Sequence, residues 1–141
     1  MEPTTAADER EILFPDRTIT LAGRPVTIRE LRFADALAIE EDVQPLVKDL
    51  GDFLAGDEPP SLPALMRLFA RHADLFLSLT ARCTGLGLEE IRGLSDRDGQ
   101  VLMMAFWEVN KGFFTRRAQL DSMSRILAAE SGMAGGDSSR H

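Results

Sequence analysis

Apolar residues recur along this chain in two rhythms. Between Thr18 and Arg29 they alternate with polar ones, Ile19 and Leu21 on one limb, Val26 and Ile28 on the other, with Ala22-Gly23-Arg24 between. A period of two puts every second side chain on one face, and turn chemistry between two such runs predicts a β-hairpin over 17–30. A lone hairpin is marginal in water, so its apolar face is expected to rest on helices. Pro25 cannot donate to a ladder and belongs at a strand start or on an edge.

From Leu31 the rhythm changes to threes and fours. Ala36, Ile39, Val43, Leu46, Leu50 and Phe53 form one stripe and predict a helix over about 31–54. Pro45 lies inside the stripe, where it removes a backbone donor and crowds the preceding turn. A kink is expected there, or a break with Pro45 in the first turn of a new helix, behind the acidic Glu40, Glu41 and Asp42. Residues 56–60 (GDEPP) are a loop by their Gly and Pro content. Ser61 then caps a predicted helix over 61–83 with Pro63 in its first turn. Its polar stripe is narrow (Arg67, Arg71, Asp74, Ser78 and Arg82), so this helix is expected to be central and largely buried. Thr84-Gly85-Leu86-Gly87 ends it, and a short connecting helix follows over 88–93.

The last predicted helix, over 95–130, starts at Ser95 with Asp98 in its first turn. Two apolar ridges run along it: Leu102, Phe106, Val109 and Phe113, and beside them Met103, Trp107 and Phe114. Only a thin polar line remains, Arg97, Gln100, Glu108, Lys111 and Thr115, and Met104 falls on that line. A helix with so little polar surface must be enclosed on most sides, by the rest of the chain or by a partner. The fold class predicted is mainly α: a helical bundle with an N-terminal β-hairpin packed on it, a small α+β domain over 12–131. A disordered acidic arm at 1–11 and a flexible tail at 132–141 are expected to flank it.

A chain of 141 residues with 44% hydrophobic content suits one core. The net charge of −7 is uneven, with 14 acids and 6 bases in residues 1–60 against 9 and 10 in 61–141. Nucleic acid is a poor partner for such a balance, because phosphates are repelled. Cys83 is the only cysteine, so no disulfide can form within the chain, and a reducing compartment fits. No apolar run reaches membrane-spanning length and the acidic N-terminus is unlike a signal peptide, so a cytoplasmic protein without membrane contact is expected.

Catalytic patterns are absent. His72 sits alone on a mostly apolar helix and His141 in the tail, which is no metal constellation. Cys83 has no base set beside it by any motif and is expected to be a buried structural thiol. Glu89 with Glu90, and Asp96 with Asp98, are the acids commonly found at helix starts. Gly85 and Gly87 lack the flanking strand of a phosphate-binding loop. A binding protein rather than an enzyme is expected, with neither cofactor nor metal.

Recognition chemistry is better represented. Met66, Met103, Met104 and Met123 all lie on predicted helices near Trp107 and Phe113-Phe114, and soft side chains suit a groove that accepts varied apolar helices. Asn110 lies on an apolar ridge, where its amide must find partners: a loop or hairpin carbonyl in its own chain, or a partner's backbone.

The passage GRPVTIRELRFADAL, with LSDRDGQVLMMAFWEVNKGFFTRR downstream, resembles tail assembly chaperones of bacteriophages and prophages with Mu-like tails. The resemblance covers roughly Ile12 to Arg117 and implies a small acidic protein of the bacterial host cytoplasm with short strands packed on helices. Such proteins bind the long tape measure protein, keep it soluble while tail-tube subunits polymerise around it, and are absent from the mature virion. On that basis the partner-binding surface is expected at Met103, Met104, Trp107, Asn110 and Phe114. Self-association is a further candidate. A structural tail completion or connector protein, and a small regulatory adaptor, are the alternatives.

Overall fold

The computed structural model describes residues 16–56 and 61–139, with side chains as far as Ser131. The expected acidic arm at 1–11 lies outside the described residues, as do the two residues that close the expected tail. The chain builds a two-stranded antiparallel hairpin, β1 (Arg17–Leu21) and β2 (Arg24–Ile28), and then five helices. These are α1 (Phe33–Leu54), α2 (Leu62–Arg71), α3 (Ala73–Thr84), α4 (Leu88–Arg92) and α5 (Asp96–Ser139). The fold is the mainly α, small α+β arrangement that the two rhythms predict.

The hairpin pairs Arg17 with Ile28 and Leu21 with Arg24. Both turn residues take positive φ, Ala22 at 50° and Gly23 at 76°, as a two-residue hairpin loop requires. For alanine that region costs roughly 1–2 kcal/mol. The Ala22 N–H donates to Asp98 Oδ2 at 3.1 Å, which holds the turn against the first turn of α5. Leu21, Val26 and Ile28 are buried and Ile19 half-buried, so the apolar face rests on α5 and α3. Ile28 is fully enclosed.

Helix α1 runs unbroken through Pro45, so no second helix starts there. Pro45 is on the exposed face, while Val43, Leu46, Val47 and Leu50 carry the buried stripe past it. Burial on the far face outweighs the one hydrogen bond that proline removes.

The helix expected over 61–83 is two helices. His72 takes φ −125° and ψ 42° between α2 and α3, and its Nε2 lies 2.7 Å from Asp49 Oδ2 on α1. Across the break Phe69 stacks on Phe76 at 4.5 Å. Only Leu65, Leu68 and Phe69 of α2 are buried, so the central buried helix is α5 rather than this one. The start signals hold. Ser61 Oγ accepts from the Ala64 N–H at 3.2 Å, and Ser95 Oγ from the Asp98 N–H at 3.1 Å. Gly85, in left-handed conformation at φ 78°, caps α3.

Helix α5 is the axis of the molecule. Leu102, Phe106, Val109, Phe113 and Phe114 are buried, and Phe106 meets Phe69, Phe76 and Phe114 ring to ring within 6.0 Å. Its backbone is helical to Ser139, beyond the expected end near 130 and into the segment expected as a tail.

Candidate functional site

The five residues expected to form a partner surface do not share one. Met103, Asn110 and Phe114 are buried in the chain's own core, Trp107 is half-buried, and only Met104 is open, at 49%. The hairpin, α1, α2 and α3 together cover both ridges, leaving the polar line and Val101 to solvent. Phe114 packs against Phe106, Phe113 and the face of Trp107. Cys83 is buried as expected, and burial pushes its thiol pKa up to about 12.

Asn110 fastens the segment that leaves the hairpin. Its Oδ1 accepts from the Leu31 N–H at 2.8 Å, and its Nδ2 donates to Phe106 O at 3.3 Å and Arg29 O at 3.5 Å. Its amide also faces Cys83 Sγ at 3.8 Å. Beside it lies a knot of charge. Asp35, buried in the first turn of α1, accepts from Arg29 (2.7 and 3.3 Å), from Arg82 (3.2 Å) and from the Arg32 N–H (2.8 Å). The Arg29 guanidinium holds the Asp35 carboxyl well below the usual carboxylate range, with help from the Arg32 N–H and Arg82, against the opposing effect of burial. Arg29 also donates through its backbone to Cys83 O and through its side chain to Arg82 O. These contacts bind hairpin, α1, α3 and α5 to one another.

The open apolar surface lies farther along α5. From Gln119 to Ser131 no residue is buried, and the helix runs out as an arm. Leu120, Met123, Ile126 and Leu127 are 58%, 59%, 57% and 56% exposed. Steps of three and four put Leu120, Met123 and Leu127 on one stripe, with Ile126 at its edge. Arg125 pairs with Asp121 on the flank. A cavity of about 660 Å³ separates the arm from the end of α1, walled by Gly51, Leu54, Ala55, Ala118, Ile126 and Ala129. At the other end of α1 a groove of about 320 Å³ runs between Phe33, Ala36, Phe113 and Leu120, rimmed by Arg32, Arg116 and Arg117.

Leu120, Met123 and Leu127 are visible in sequence as the periodic continuation of α5, but periodicity alone does not say that nothing covers them. Phe33 and Leu37, open at 76% and 61%, lie off the predicted stripe of α1, and that offset was the available signal. Asp35 has a local signal only in part: the Arg32 N–H and Arg29 are three and six residues away, but Arg82 is distant in sequence.

Among the described residues, no three His, Cys, Asp or Glu side chains gather as metal ligands. No helix described is long and apolar enough to cross a membrane. Residues 9–141 match a family of unknown function, DUF6631. The chain belongs to that family. The match takes in the whole of the described structure, so the α5 arm belongs to the DUF6631 region as much as the core does. No curated protein and no solved structure matches the chain.

Proposed function

We propose that this DUF6631 chain is a tail assembly chaperone of a phage or prophage with a Mu-like tail, and that it holds the tape measure protein in solution through the α5 arm. The observation that carries the proposal is the stripe Leu120, Met123, Leu127, with Ile126 beside it, more than half exposed on a helix that has left its own core. Four neighbouring large apolar side chains are what a helix-in-groove contact offers a partner. The resemblance of the hairpin-to-α1 and α5 sequences to such chaperones supplies the partner's chemistry: a long helical chain with apolar stripes that self-associate when bare.

The mechanism is that of a holdase. The arm covers one apolar stripe of the tape measure, on the order of 800 Å² per site, and binds loosely enough for the growing tube to displace it. Release needs no nucleotide, since burial inside the tube competes for the same surface. This places the protein in the host cytoplasm and leaves it out of the finished virion.

Pull-down of tape measure segments on the purified chain tests this. Paired substitution of Met123→Glu and Leu127→Glu is expected to weaken capture at least tenfold, about 1.4 kcal/mol, because charge in a desolvated contact is expensive. Met104→Glu is expected to leave capture unchanged: Met104 lies sixteen residues, roughly 24 Å of helix, from Leu120. Loss of capture in the Met104 variant alone would move the site back to the body.

A further inference from the structure

The arm's apolar stripe carries a charge of opposite sign at each end. Arg116, Leu120, Met123, Leu127 and Glu130 follow one another at steps of four, three, four and three. That spacing sets all five on one face of α5, over about 21 Å of helix. The Arg116 side chain is 66% exposed, and Glu130 is exposed as well. Helix α1 lies on the far side of the arm, where Ala118, Ser122, Arg125 and Ala129 wall the cavity between the two helices. The charged ends and the apolar middle therefore share one open face.

Turned end for end, this face complements itself. Arg116 and Glu130 lie equally far from Met123 in sequence, on either side of it. A two-fold axis at Met123 therefore sets Arg116 of each copy opposite Glu130 of the other, so that both charge pairs attract. The same axis brings Leu120 of one copy to Ile126 and Leu127 of the other. Parallel pairing would instead oppose arginine to arginine and glutamate to glutamate. Phe33, open beside Arg116 and Leu120, extends the apolar surface where the end of the second arm passes. We infer that the free chain pairs with a second copy of itself through antiparallel α5 arms centred on Met123. An isologous contact of this kind closes at two copies and does not grow into a filament. The face is small beside the roughly 800 Å² per partner of a standard interface, so the pair is weak and exchanges readily. It covers the stripe in the free chain and opens when another helix competes for it. The inference goes beyond the proposed function and does not rest on it.

Sedimentation velocity of the purified full chain, with no other protein present, tests this. The mass is expected to rise from one chain toward two as concentration increases. Arg116→Glu and Glu130→Arg, each alone, make both charge pairs repulsive and are expected to weaken pairing about tenfold. Mixed in equal amounts, the two variants complement each other at both pairs, and the dimer is expected to return. A chain that stays monomeric at its highest soluble concentration, single variants that pair as well as the parent, or a mixture that does not recover would overturn the pairing. If either charge variant fails to fold, Met123→Cys decides instead. A short bismaleimide is expected to link two copies of it and not of Met104→Cys, and no difference between them would overturn the pairing. A monomeric chain that still captures tape measure segments would sink this inference and leave the proposed function standing.

Discussion

Asp35 accepts from two guanidinium groups and one backbone N–H, and its arginines come from the hairpin exit and from α3. Its carboxyl is held below the ordinary range, so the folded state binds a proton less readily than the unfolded chain does. The stability it contributes is present above the unfolded pKa, near 4, and is lost as pH falls toward the depressed folded value. Asp35→Asn should destabilise the protein by about 2–3 kcal/mol at pH 7. That difference should shrink steadily below about pH 4, as followed by urea denaturation across pH. A difference that stays constant to pH 2 would place the cost elsewhere. Asn110→Leu keeps the branched four-atom side chain but leaves the Leu31 N–H without its acceptor in the core, an expected loss of about 1–3 kcal/mol in the same assay. Individual residues were unevenly legible in the sequence. The caps Ser61 and Ser95 were visible because their partners lie three residues on. Asn110 was visible as an amide on an apolar ridge, but Met103 and Phe114 share that ridge, and nothing local separates a ridge facing the core from one facing a partner.

Elements were read best where one face is fully buried. The hairpin's alternation survives intact because Val26 and Ile28 must face the helices, and a slip of one residue would turn both outward. Ile28→Asp should therefore cost several kcal/mol and abolish the cooperative melt seen by circular dichroism. A melt like the parent's would mean that the hairpin face is not needed. The His72 break was not legible, since the polar stripe from Arg67 to Arg82 keeps its phase across it, and Arg67, Arg71, Asp74, Ser78 and Arg82 are all exposed. A pattern of surface positions does not record a change of helix axis. The pairing with Asp49, a residue of α1, does, and that contact is tertiary. Pro45 illustrates the converse, a local breaker overridden by four buried neighbours.

At the scale of the whole molecule, the hairpin, α1, α3 and the first half of α5 form a body fastened by the Asp35 and Asn110 contacts, and the second half of α5 leaves it. The sequence indicated that α5 is too apolar for its own polar line, but the excess lies toward its far end, where none of the residues from Gln119 to Ser131 is buried. Rigid attachment and open apolar surface together suit a protein that presents one sticky helix without unfolding to do so. The most direct measurement is the soluble fraction of the tape measure protein co-expressed with this chain. The wild type and Met104→Glu are both expected to keep it in solution, while a folded Met123→Glu, Leu127→Glu variant leaves it in the pellet. A tape measure protein that stays equally soluble with the arm variant, or equally insoluble with the wild type, would contradict the account.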